Sequence, residues 1–113
     1  MSSLRQLGAS VEDQVAQYLL AQGYTLLSRR LHVGHSELDL VALDEDIVVF
    51  VEVKYRKNDL LLAVESIGPA KIAYLKRAAE QYVFEHQLQQ HPVRFDVVAV
   101  TREGIRHFKN AFA

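Results

Sequence analysis

Cysteine is absent from all 113 residues. That excludes a disulfide framework, a thiolate zinc site and a cysteine nucleophile together, and it fits a reducing compartment. Long apolar runs are also lacking. None approaches the ~18 residues that a membrane span needs. Residues 1–5 have no apolar centre of the kind a signal peptide carries. The expectation is a cytoplasmic protein with no membrane partner. An excess of basic charge is missing too. Thirteen Lys and Arg stand against 14 Asp and Glu, a net charge of −1, so any affinity for nucleic acid has to be local. There is no repeat, low-complexity tract or linker.

Half of the residues are apolar, and the length suits one globular domain over residues 1–113. A domain of this size buries somewhat under ~68% of its unfolded surface, which suffices without covalent staples. Ser10 with Asp13 forms a capping-box pattern. Val11, Val15, Tyr18, Leu19 and Gln22 follow helical spacing, and Gly23 supplies a stop. Leu4 and Leu7 continue the stripe, so an earlier start near Ser3 is open. Residues 24–31 read as a first strand and 33–35 as a turn. Residues 37–43 and 47–56 form two strands joined by Asp44-Glu45-Asp46, an antiparallel hairpin. Residues 58–65 read as a loop. A second helix spans 66–88, with Pro69 in its first turn and Ile72, Leu75, Ala79, Tyr82 and Val83 as its buried stripe. Residues 93–100 form a fourth strand, and a short strand or turn lies near Gly104. The order αβββαβ describes an α/β or α+β domain with a mixed sheet.

The hairpin carries the chemistry. With the turn centred between Glu45 and Asp46, facing residues sum to 91, so Asp39 faces Glu52 and Glu37 faces Lys54. Directly opposed residues have Cβ atoms about 4.5–5.5 Å apart. Two carboxylates thus converge among core neighbours Leu38, Leu40, Val51 and Val53, with Val48 and Phe50 on the Glu52 face. Facing like charges are destabilising, and buried ones more so. A hard divalent cation resolves the conflict. Mg2+ takes one or two carboxylates, keeps waters and bridges to phosphate, and Mn2+ is a substitute. Lys54, two residues from Glu52, shares its side of the strand and can reach the water or the scissile phosphate. Arg56 continues that face. The competing account is an internal salt-bridge ladder with Glu37–Lys54 as its visible pair. A three- or five-residue turn would shift the register and part the acids.

An acid followed by Glu-x-Lys on the next strand resembles the PD-(D/E)XK nuclease signature. More narrowly, the chain resembles the YraN-like family of bacterial proteins, related to Holliday-junction resolvases. The resemblance is carried by Val11-Glu12, Tyr18-Leu19 and Gly23-Tyr24, and most strongly by residues 36–41 (SELDLV) and 50–56 (FVEVKYR). Lys71, residues 94–98 (RFDVV) and residues 109–112 (KNAF) complete it. It implies a restriction-endonuclease-like fold with a central mixed sheet flanked by helices. It implies Asp39 and Glu52 as metal ligands, Lys54 as the catalytic lysine and Glu12 approaching the site from the first helix. Two positions depart from the family: Ser36 where Gly is usual, and residues 59–65 without Gly. Both touch the substrate-facing rim and leave the triad intact.

Other residues have two readings each. Glu12 is also a solvated glutamate near a helix N-terminus, favoured there by the dipole. Lys71 sits where a cation is mildly disfavoured, which points to a phosphate partner or to plain exposure. Arg94 and Asp96 read as a structural ion pair. Arg29 and Arg30, Arg56 and Lys57, and Lys76 and Arg77 are basic pairs that either track a phosphate backbone or scatter over the surface. Arg56, Lys71 and Arg30 are the nucleic-acid-binding candidates. Histidines 32, 35, 86, 91 and 107 show no ligand spacing and read as surface residues. The leading expectation is a Mg2+-dependent endonuclease acting on DNA, including branched or structured DNA, with RNA not excluded. A homodimer would engage two strands. The alternatives are a non-catalytic nucleic-acid-binding or adaptor module and a purely structural domain.

Overall fold

The computed structural model describes residues 4–34, 36–55 and 67–112, the side chains of 4–10 and 36 aside. Arg56, Lys57, His35 and the expected loop 58–65 lie outside the described residues. The elements are α1 (Leu4–Ala21), β1 (Thr25–Val33), β2 (Ser36–Asp44), β3 (Ile47–Tyr55), α2 (Pro69–Glu85), β4 (Val93–Thr101) and β5 (Gly104–Phe108). One sheet holds the five strands in chain order. Only β3 and β4 pair in parallel, and α2 lies between them in the chain, as a parallel connection requires. The mixed sheet with flanking helices agrees with the expected restriction-endonuclease-like α/β architecture. The segment near Gly104 resolves as a true strand, antiparallel to β4.

Among the described residues, α1 packs on one face of the sheet and α2 on the other. Val11, Val15 and Leu19 of α1 pack on Leu40, Ala42, Val49, Val51, Val98 and Val100. Leu75, Ala78, Ala79 and Tyr82 of α2 pack on Leu38, Val41, Val48 and Phe50. With both faces covered, β3 reads as a continuous apolar run instead of alternating. Val15, Leu19, Leu40, Val41, Val48 and Val49 are completely buried, each contributing about 1.5–3 kcal/mol over exposure.

Chain reversals explain where the elements end. At the end of α1, Gly23 adopts φ 91°. The Tyr24 amide donates to the Leu19 carbonyl and the Gly23 amide to that of Leu20, both at 3.0 Å, a Schellman cap. The helix runs through Ser10, so the capping box does not mark its start, and Asp13 pairs with Arg29 instead. The second helix is shorter than the expected 66–88. It opens with Gly68 as N-cap and Pro69 in the first turn. It closes because Gln87 takes φ 56° and the Leu88 amide reaches back to the Val83 carbonyl at 2.9 Å. No glycine marks that stop, which is why periodicity alone overran it.

The hairpin turn is the tightest of these reversals. Asp44 pairs with Ile47, leaving only Glu45 and Asp46 to reverse the chain, and Glu45 sits at φ 56°. A side chain in that left-handed region costs roughly 1–2 kcal/mol, a penalty glycine avoids while losing ~0.5–1 kcal/mol of chain entropy. Glu45→Gly is therefore expected to stabilise the protein by about 0.5 kcal/mol and raise Tm by a few degrees. Thermal unfolding followed by circular dichroism checks it; a lower Tm would show that the Glu45 side chain itself contributes.

Candidate functional site

The β2–β3 ladder has the expected register. Its pairs run from Asp44–Ile47 to Leu40–Val51, each summing to 91. Beyond Leu40 the two strands part, and the Asp39 carboxylate fills the gap. Its Oδ2 accepts a hydrogen bond from the Val53 amide at 2.9 Å. The side chains also roll over here. Leu38 packs with the α2 cluster but Leu40 with the α1 cluster, although residues two apart on a regular strand share a face. Across the sheet, Arg30 adopts φ 50°, flanked by the pairs Arg29–Leu40 and Leu31–Leu38. Its reversed backbone sends Arg29 and Arg30 both toward α1, to Asp13 and Glu12 respectively. The β2–β3 pairs end at Leu40–Val51, so neither the expected facing pair Asp39–Glu52 nor Glu37–Lys54 belongs to the ladder; Asp39 instead bonds the Val53 amide, and Glu37 pairs with His32 on β1.

This irregular corner gathers the charged groups. Glu52 is only 6% exposed. Its Oε1 accepts from the Lys71 ammonium at 2.8 Å, and the Lys54 ammonium stands 3.7 Å from the same oxygen. Lys71, on the first turn of α2, is thus an ion-pair partner of Glu52 as well as a surface residue. Burial and the pair with Glu52 act in opposite directions on its ammonium, and the pair wins, raising its pKa. Asp39 is half-buried. Burial, then the charge of Glu52, push its pKa up to about 7, against the lowering effect of the Val53 amide. Glu12 adds to the rise and Lys71 opposes it. Glu52, Glu12 and Lys71 therefore all lie within electrostatic reach of Asp39, with Lys54 at the Glu52 oxygen and Arg30 on Glu12.

Below the two acids is a small cavity bordered by Asp39, Glu52, Leu75, Phe95 and Phe112, about 10 Å3 in volume, the scale of one water. Its floor is held by a second polar cluster. Fully buried Asp96 accepts from Arg94 at 2.8 and 2.9 Å, approaches His107 Nε2 at 2.6 Å and accepts from the Asn110 amide at 3.0 Å. These bonds outweigh burial and keep its pKa low. His107 Nδ1 meets the Tyr18 hydroxyl at 3.0 Å, and Arg94 reaches Asp44 and Tyr24. The Ala111 amide bonds the Phe95 carbonyl at 2.8 Å, and Phe112 packs on the Phe95 ring. The expected Arg94–Asp96 ion pair is present. The surface reading of His107 is corrected: its side chain is 7% exposed. Only the alternation in residues 104–108, too short to fix a face, could have signalled this.

Among the described residues no three His, Cys, Asp or Glu stand together as a metal cage. Two carboxylates suffice for Mg2+ or Mn2+, which retain water ligands, and do not suffice for a closed structural zinc site. Asp39 and Glu52, oxygen donors on adjoining strands beside a water-sized cavity, are a donor set that fits a hydrated divalent cation. Among the described residues no helix is long and apolar enough to cross a membrane.

The family model and the sequence relatives agree on family. A family model described as "Uncharacterised protein family UPF0102" matches residues 11–100. A UPF0102 protein of Stutzerimonas stutzeri is 41% identical over 99% of this chain and 98% of its own length. One from Neisseria gonorrhoeae is 40% identical over 88% of this chain and 85% of its own. One from Syntrophomonas wolfei is 40% identical over 96% and 98%. Among solved structures, the "crystal structure of a repair endonuclease from Pyrococcus abyssi" overlaps 82% of this chain and 39% of that one, with 25% identity and a TM-score of 0.47, a partial likeness that does not fix an activity.

The Asp39 shift has a consequence for stability. Its folded pKa of about 7 lies above the ordinary aspartate value of 3.8, so between these values the folded state holds the proton more tightly than the unfolded one. The resulting stabilisation is complete below the lower value and is lost as pH rises through about 7. Denaturant titrations of the metal-free protein from pH 4 to 8 are expected to show falling stability. Asp39→Asn should flatten that slope and be the more stable form at pH 8. An unchanged slope in the variant would assign the pH dependence elsewhere.

Proposed function

The chain belongs to the uncharacterised protein family UPF0102, and on that premise we propose that it is a divalent-metal-dependent endonuclease that hydrolyses DNA phosphodiester bonds. The observation that carries this reading is the carboxylate pair. Asp39 is burdened by the charge of buried Glu52, while an ammonium contacts Glu52 at 2.8 Å and another stands 3.7 Å away. Negative groups that bind a cation, beside ammonium groups that can meet a phosphate, are the two halves of a phosphoryl-transfer site.

Asp39 and Glu52 would hold Mg2+ or Mn2+. The bound cation supplies Lewis-acid polarisation of the phosphoryl oxygen and makes water a competent nucleophile near neutral pH. Lys54 orients that water and neutralises charge developing on the phosphoryl oxygens. Glu12, tethered by Arg30, adds acidic character on the α1 side of the site. The Val53 amide fixes the Asp39 carboxylate at 2.9 Å, so its orientation is set by the backbone. The cavity below is too small for a nucleotide, so the DNA backbone would run across the rim, where Lys71 is half-exposed. A homodimer would let two such sites address two strands.

Purified protein with Mg2+ or Mn2+ is expected to cut linear, flapped or branched DNA. Glu52→Gln and Lys54→Met should each lower the rate by about 100-fold or more while still binding DNA. Mn2+ at a hundred times its Kd should stabilise the wild type by about 2.7 kcal/mol, an effect missing from Glu52→Gln. Binding without cutting on every substrate would instead make it an adaptor module. Equal behaviour of wild type and variants in both assays would remove the site.

A further inference from the structure

Glu52 meets its cations unevenly. One oxygen, Oε1, receives Lys71 at 2.8 Å and faces Lys54 at 3.7 Å. The two lysines differ in how they are held. Lys54 is part of β3, in register with Ala99 of β4, and its side chain is 18% exposed. Lys71 is 48% exposed and projects from the first turn of α2, two residues after Pro69. An ammonium in the first turn of a helix is opposed by the positive end of the dipole. What keeps it there is the Glu52 carboxylate.

We propose that Lys71 is a resident counter-ion that occupies Glu52 until a divalent cation claims the carboxylate, and that its released ammonium then serves the substrate phosphate. The inference rests on the reading of Asp39 and Glu52 as a cation site. A buried carboxylate with no positive partner is costly, and Lys71 removes that cost in the metal-free protein. A divalent cation on the same carboxylate repels the ammonium. Lys71 has the more solvent to move into, at 48% exposed against 18% for Lys54. The long flexible stem of a lysine permits this movement without shifting the helix. At the rim the ammonium lies on the path that a DNA backbone would take, and the α2 N-terminus beside it also favours an anion. Cation binding and phosphate binding are thereby coupled: the first frees the group that serves the second.

Isothermal titration of the full chain with Mn2+ tests the exchange without any requirement for turnover. Lys71→Met removes the competing ammonium and is expected to tighten Mn2+ binding about tenfold. Lys71→Arg keeps a positive charge and should stay near wild type, as should Lys76→Met on an outer position of the same helix. With Mn2+ saturating, Lys71→Met should weaken binding of thymidine monophosphate, used as the phosphate probe, several-fold. Wild type that binds Mn2+ while Lys71→Met binds it equally or more weakly overturns the exchange and leaves the cation site standing. Unchanged mononucleotide affinity overturns the second half of the proposal. Wild type that binds no Mn2+ overturns both the exchange and the nuclease reading.

Discussion

Repulsion between two carboxylates that the sheet holds in a partly dry corner is the constraint around which this protein is organised. Asp39 and Glu52 sit next to the last ladder pair of the β2–β3 hairpin; Glu52 is buried and Asp39 half-buried. Donors and ammonium groups answer that repulsion, while Glu12 adds to it. The Val53 amide takes one Asp39 oxygen, Lys71 takes a Glu52 oxygen with Lys54 close behind, and Arg30 takes Glu12. Burial, and then the charge of Glu52, still push the Asp39 pKa up to about 7. A corner arranged only for stability would be better filled by apolar side chains, so its persistence as a charged cluster is the physical argument for a function.

The fold delivers these groups from five elements. Hydrophobic cover on both faces fixes β3 at the centre, and β2 follows it in register until the strands part at Asp39. The rollover between Leu38 and Leu40 requires the reversed backbone of Arg30 across the sheet. Helix α1 then brings Glu12 against that arginine, while α2 brings Lys71 over the opposite face. The Asp96 cluster acts at a distance. By binding Arg94, His107 and the Asn110 amide it anchors the chain end, and Phe112 closes the floor beneath the acids.

Much of this was legible in the chain. The hairpin register followed from strand alternation and a short polar turn, both local properties, and with it came the neighbourhood of Asp39, Glu52 and Lys54. The two helices followed from spacing, as did Leu75, Ala79 and Tyr82 of the α2 stripe; Ile72 and Val83 are only half-buried, and Ala78 is buried in addition. The misreadings share a cause. The end of α2 depends on a non-glycine residue, Gln87, at φ 56°, which composition does not announce. Ser10 has the look of a cap, but the helix takes the earlier start that Leu4 and Leu7 left open, at Leu4. His107 was read as a surface residue because its partners Asp96 and Tyr18 lie 11 and 89 positions away.

By itself the sequence determined the periodic features: which segments are strands, which are helices, and which acids and lysines occupy neighbouring strand positions. These depend on a side-chain repeat of two or 3.6 residues and on turn chemistry within a few bonds. Tertiary structure alone decided where the hairpin opens, that Lys71 reaches Glu52, and that Arg30 holds Glu12. Those outcomes depend on how a helix crosses a twisted sheet and on charges meeting through space, and neither is encoded in any short stretch of the chain.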